Sequence, residues 1–238
     1  MLVEFTYNHA GLRTKKVVTT GDATETTEYI LNGKNVAELI KTTVTTGASP
    51  TTTTDRQHFY YDTQGRVALV DFNGIKYSYV HNLQGDVIGI LDSSGNLVVE
   101  YRYDAWGKPI SAAGTLTTTL GELNPFRYRG YVWDQEKELY YLKRRYYSAI
   151  LARFISIDAK CSRNAYSYCT NNPVIKIDQA GLEATDNRQI NSYAFITPLD
   201  NPNTDHVLGV FYLTTNDVFI IGSHECHKCF SVSYGKKA

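Results

Sequence analysis

The run Asp62-Thr-Gln-Gly65-Arg-Val-Ala-Leu-Val-Asp71-Phe-Asn-Gly74-Ile-Lys-Tyr-Ser-Tyr-Val-His-Asn82-Leu-Gln-Gly85 repeats one small device: an Asp or Asn, two residues of almost any type, then a Gly. The device returns as Asp92-Ser-Ser-Gly95 and Asp104-Ala-Trp-Gly107, and an earlier copy is Asn8-His-Ala-Gly11. At the first turn position an Asp or Asn oxygen can accept backbone N–H groups two residues on. The Gly then takes the left-handed conformation that closes a type I turn into a hairpin. Strand-like runs follow the glycines: Val67–Val70, Ile75–Val80, Val87–Ile90 and Leu97–Tyr103. Gly89 also has an Asp three residues before it, but it lies inside an apolar run and reads as a strand residue. Strand, turn and strand recurring at short intervals predict a repeat architecture rather than one globular core. The expected fold is mainly β, with Gly65, Gly74, Gly85, Gly95 and Gly107 at antiparallel hairpin turns.

Composition agrees. The 238 residues include 19 Tyr and one Met, and aromatics make up 13%. Tyr and Thr suit pleated, half-exposed surfaces. The 24 basic and 24 acidic side chains cancel, which leaves no electrostatic footprint for nucleic acid or an anionic membrane. No apolar stretch approaches the roughly 18 residues of a membrane span. The first residues alternate like a strand and lack the charged and apolar regions of a signal peptide. Four cysteines, Cys161, Cys169, Cys226 and Cys229, are too sparse for a disulfide scaffold.

Along the chain, residues 1–54 read as degenerate strands with an Asn32-Gly33 hairpin signal and a Thr-rich stretch, Thr42–Thr54, expected to be an exposed loop. Residues 55–110 hold the repeats. Ser111–Asn124 reads as a second loop opening a segment, 111–182, with a dense aromatic block. Within it, Glu136–Leu151 has both helical spacing and paired aromatics suited to a strand. Strands are favoured because every neighbour is a strand. Residues 183–238 form a separate segment whose pattern is mostly one hairpin, His206–Leu213 and Val218–Ile221.

Tyr61-Asp62…Gly65-Arg66 and Tyr101-Arg-Tyr-Asp-Ala-Trp-Gly-Lys108 resemble single YD repeats. Asn124-Pro-Phe-Arg-Tyr-Arg-Gly-Tyr131, Leu139-Tyr-Tyr-Leu-Lys-Arg-Arg-Tyr-Tyr147, Arg153-Phe-Ile-Ser-Ile-Asp158, Asn164–Val174 and Asp178-Gln-Ala-Gly-Leu182 follow in the order of an RHS-associated core. The chain therefore resembles the carboxy-terminal end of an RHS/YD-repeat protein, the family of bacterial polymorphic toxins and the teneurin shell. The resemblance implies the last turns of a spiralling β-wall plus the core, enclosing a carboxy-terminal effector segment. It implies a secreted or cell-surface protein, needs no cofactor, and names as partners other wall segments, the chain's own tail and an immunity protein. Three departures stand out: Gln179 replaces the motif's Pro, Glu138 replaces a Gly before the aromatic pair, and Ser148–Ala152 replaces a turn rich in Asp, Pro and Gly.

The family likeness also implies single-turnover, aspartyl-type self-cleavage after Leu182, at the Leu182–Glu183 bond. Two carboxylates would share the work, one activating water and one donating a proton. Asp178 is the motif carboxylate, Asp158 the best-placed second one, and Arg153 an orienting or polarising group. Asp178-Gln-Ala-Gly181 is equally another copy of the turn device, with Gly181 as its closing glycine, and both readings stand. His224, Cys226 and Cys229, with His206 upstream, have metal-like spacing but supply only one knuckle, so no metal site is assigned. A disulfide or reactive pair and inert cysteines remain the other readings. Two further functions compete: an extracellular carbohydrate- or protein-binding adhesion module built on the aromatics, and a small nuclease-like toxin in residues 183–238.

Overall fold

The computed structural model describes residues 1–47, 49–158, 164–182, 184–186, 208–214, 217–223 and 230–236, with backbone only in the last three ranges. The chain divides into one unit at Met1–Thr185 and a second at Asp186–Ala238.

Ten strands of the first unit form one antiparallel sheet in strict chain order. They are β1 (Leu2–Tyr7), β2 (Arg13–Thr20), β3 (Ala23–Asn32), β4 (Asn35–Thr45), β5 (Thr51–Tyr61), β6 (Val67–Phe72), β7 (Ile75–His81), β8 (Val87–Leu91), β9 (Leu97–Tyr103) and β10 (Pro109–Ala113). The hairpin device sets this meander. At Asp62 the side-chain Oδ1 accepts the N–H groups of Gln64 at 2.8 Å and Arg66 at 2.9 Å, while Gly65 donates to the Asp62 carbonyl at 3.0 Å. Asn8, Asn82, Asp92 and Asp104 make the same set of bonds. Gly65, Gly85, Gly95 and Gly107 have φ of 77°, 85°, 82° and 87°. Register slips by one residue beside the Asp62, Asn82 and Asp92 turns, where the extra turn residue bulges one strand.

The Asp71 copy folds differently. Phe72 pairs directly with Ile75, so Asn73-Gly74 is a two-residue connection with φ of 51° and 89°. Two successive left-handed residues make a type I′ turn, which Asn-Gly favours over the longer turn of its neighbours. Gly89 lies in strand β8, outside any turn.

Two segments expected to be loops are largely ordered pairs. Thr42–Thr54 forms the ends of β4 and β5, paired from Glu38↔His58 to Thr45↔Thr51. Threonine's β-branched side chain suits the pleat, and Thr45 and Thr51 hydroxyls bond across the strands at 2.7 Å. Ser111–Ala113 extends β10 along β9, and Thr117–Gly121 turns as a short π-helical segment.

The ambiguous aromatic block resolves as strands. β11 (Val132–Asp134), β12 (Leu139–Tyr141), β13 (Tyr146–Ser148) and β14 (Arg153–Phe154) make a four-stranded antiparallel sheet. One core forms between the ten-stranded sheet and the segment after it: Phe59, Val70, Ile90 and Val99 pack with Leu120, Phe126 and Tyr141. A second gathers Tyr128, Tyr131, Tyr140, Leu142, Tyr147, Phe154 and Tyr168. A buried ion pair ties the first hairpin to this region, since Arg13 donates to Asp134 at 2.5 Å while its guanidinium lies over the Tyr29 and Tyr141 rings. β15 (Lys176–Ile177) and β16 (Thr185–Asp186) form a two-stranded sheet. In the second unit β17 (Leu208–Thr214), β18 (Asp217–Ser223) and β19 (Phe230–Lys236) form an antiparallel three-stranded sheet. No helix among the described residues is long and apolar enough to cross a membrane.

Candidate functional site

The terminal motif folds as the same turn seen along the wall. Asp178 is 2% exposed, and its Oδ1 accepts the N–H groups of Ala180 at 3.3 Å and Leu182 at 3.0 Å. Gly181 has φ of 69°, and a Cβ there would stand 3.1 Å from the Arg145 nitrogen and the Leu142 carbonyl oxygen. Positive φ and close backbone approach together require Gly at this position.

What separates this turn from the others is a buried cation shared between two acids. The Nη2 of Arg145 lies 3.1 Å from Asp158 Oδ2 and 3.5 Å from Asp178 Oδ2. The two carboxylate oxygens therefore approach within the combined length of those contacts. The Nε of Arg145 donates to the Gly181 carbonyl at 2.5 Å and Nη1 to the Ala165 carbonyl at 3.3 Å. Its guanidinium stacks over Phe154, 3.6 Å from the ring centroid. One side chain thus bridges two largely buried acids and polarises a peptide carbonyl of the motif. The Tyr131 hydroxyl donates to the Asp178 carbonyl at 2.8 Å and meets the Tyr168 hydroxyl at 3.1 Å. Burial holds both phenols well above their ordinary range, so they serve as neutral hydrogen-bonding groups.

Asp178 and Asp158, picked out from their motifs, are thus brought together. Arg153 is not in the cluster: it is exposed on β14, and Arg145 occupies the bridging position. Arg145, Tyr131 and Tyr168 went unassigned in the sequence, where Arg145 is one of three consecutive basic residues, Lys143-Arg144-Arg145, and nothing in the spacing singles it out. Leu182 is 38% exposed, and Glu183 lies outside the described residues. The carbonyl that Arg145 holds belongs to Gly181, one residue before the expected cut. His206, His224, Cys226 and Cys229, as well as Cys161, fall outside the described residues. Cys169 is buried and free, and burial pushes its thiol up to about 11.

A ten-strand meander of Asx-turn hairpins, packed on a tyrosine-rich core that ends in this buried Asp–Arg–Asp turn, defines a wall-and-core protein of the YD-shell class. The chain belongs to the Teneurin YD-shell family, whose model matches residues 3–179. It is 34% identical over 186 residues to the tRNA3(Ser)-specific nuclease WapA of Bacillus spizizenii, an alignment covering 74% of this chain and 7% of that protein. It is likewise 34% identical to the tRNA nuclease WapA of Bacillus subtilis strain 168, again over 74% and 7% of the two chains. The chain therefore spans a small fraction of the curated relatives' length. The TcdB2-TccC3-Cdc42 crystal structure superposes with a TM-score of 0.66 at 22% identity, over 76% of this chain and 9% of that one. The Photorhabdus luminescens Tc holotoxin pore carrying TccC3-D651A gives 0.55 at 23% identity, over 77% and 9%. These two likenesses establish the fold: a β-wall of the RHS type.

Proposed function

We propose that this chain supplies the terminal turns of wall and the core of a secreted toxin-type shell, and that it releases its carboxy-terminal segment by one self-cleavage after Leu182. The observation that carries this reading is the convergence of Asp178, Asp158 and Arg145 on the turn at Gly181-Leu182. In the proposed step the two acids hold one proton between them. The ionised one takes a proton from water as the water attacks the Leu182 carbonyl, and the protonated one gives its proton to the departing amide nitrogen of Glu183, so a carboxylate and an amine result. Arg145 is a positioning residue: it fixes the strand entering the scissile bond through the Gly181 carbonyl and balances charge on the acids. Wall material from elsewhere in a longer chain is the natural neighbour of the sheet edges. The relatives' names favour a nuclease as the class of effector such a shell carries. An immunity protein in the producing cell is the partner such an effector calls for.

Intact-mass spectrometry of the purified chain tests the proposal. Wild-type protein is expected to resolve into two masses that divide after Leu182. Asp178→Asn keeps the turn's Oδ1 acceptor and cannot serve as acid or base, so it should remain whole with an unchanged circular dichroism spectrum. A wild-type chain that stays intact, or an Asp178→Asn chain cut at the wild-type rate, would overturn the assignment.

A further inference from the structure

We propose that the cavity between the turn ends of the wall and the Tyr131–Lys143 stretch is a binding site for an oxyanion, carboxylate or phosphate, carried on a planar aromatic body. The cavity measures about 330 Å³, within the range of small-molecule sites. Five cationic side chains line it, Arg13, Lys34, Arg66, Arg129 and Lys143, and no carboxylate does. Three of the five are balanced from behind the lining: Arg13 by Asp134, Arg66 by Asp62, and Arg129 by Asp86 at 3.6 Å. Lys34 and Lys143 have no ion-pair partner among the described residues, so the lining keeps an uncompensated positive charge.

A second observation is that the two unpaired lysines are near neighbours, with no acid in the lining between them. The ammonium of Lys143 is held below its ordinary range by burial and by Lys34, and a bound anion relieves both effects. The half-buried ring of Tyr61 on the lining supplies stacking surface for the apolar part. Exposed Lys34, Gln64 and Gln179 at the rim open the cavity to solvent. The lining makes no use of Asp178, Asp158 or Arg145, although Gln179 of the same turn stands at its rim.

Titration calorimetry on the full chain with phenyl phosphate, inorganic phosphate and benzyl alcohol tests it. Phenyl phosphate is expected to bind at least about tenfold more tightly than either of the other two. The Lys34→Ala, Lys143→Ala double variant should lose about tenfold in phenyl phosphate affinity with an unchanged denaturation midpoint. Lys34→Glu, at an exposed position, should give the same loss if the double variant folds poorly. Equal affinity for benzyl alcohol, equal affinity for inorganic phosphate, no binding of phenyl phosphate, or undiminished binding by Lys34→Glu would each overturn the proposal.

Discussion

At the scale of the residue, identical turn motifs do not carry identical demands. Gly95 and Gly107 close the same turn with φ of 82° and 87°. A methyl group at Gly95 meets nothing within 4 Å, whereas one at Gly107 would overlap the Tyr128 ring. That ring cannot swing aside easily, because the Tyr128 hydroxyl is bonded to the Ala105 carbonyl at 2.9 Å. Gly95→Ala is therefore expected to cost about 1 kcal/mol, the strain of a left-handed alanine alone. Gly107→Ala adds steric displacement in a packed core and is expected to cost about 3 kcal/mol or more. Denaturant midpoints of the two variants decide it, and equal losses would refute a packing role for Gly107. Elsewhere the chain tolerates left-handed residues with side chains. Glu138, standing where the family has Gly, has φ of 52°, and Ala152 in the altered turn has φ of 54°. Two of the departures noted in the sequence thus sit at left-handed positions and accept the strain.

At the scale of the element, legibility followed how local the cause was. The Asx turns were readable because each is complete within five residues, as the Asp62 and Asp178 bonding patterns show. The Thr42–Thr54 strands were not, because a solvated hairpin needs no apolar alternation and its pairing is a matter of cross-strand threonines. The two acids of the candidate site were legible as motif members. Their bridging cation was not, because Arg145 was selected by packing against Phe154 and the 178–182 turn rather than by spacing. The core sheet has a further consequence at this scale. The hydroxyls of Tyr140 and Tyr147 donate to the carbonyls of Gly107 and Trp106 at 2.7 Å each, fastening β12 and β13 to the last wall turn. Burial raises both phenols above their ordinary value of 10, and likewise raises Tyr128 to about 12. Groups whose folded pKa lies above the unfolded value add stability that is fully present below pH 10 and is lost as pH rises toward the folded value. The chain is expected to unfold in alkali above pH 10, with the last part of the phenolate absorbance, from the buried tyrosines, appearing together with the change in far-ultraviolet circular dichroism. Complete phenolate formation before any loss of structure would show these hydroxyls to be accessible and their bonds unimportant.

At the scale of the whole molecule, the sheet of the first unit is open, and its two outer strands differ. Among the described residues β1 pairs only with β2, and β10 only with β9. Every residue of β10 is exposed, Ile110 at 67%, and the strand is blunted only at its start by Pro109. β1 carries exposed Leu2 at 59% and an inward-facing Arg13 partner strand that fixes its position. Unpaired N–H and C=O rows beside apolar side chains are templates for strand addition, and a wall built from repeats continues by that route. Expressed by itself, the chain is expected to associate edge to edge, with an average mass in light scattering that rises with concentration. Ile110→Lys places a charge on the free edge without entering either core, so it should lower that mass while leaving the thermal midpoint unchanged. A wild-type chain that stays monomeric throughout the concentration series would mean that these edges do not recruit strands. Mass that rises equally in Ile110→Lys would instead move the contact from β10 to β1, where Leu2→Lys is the matching test.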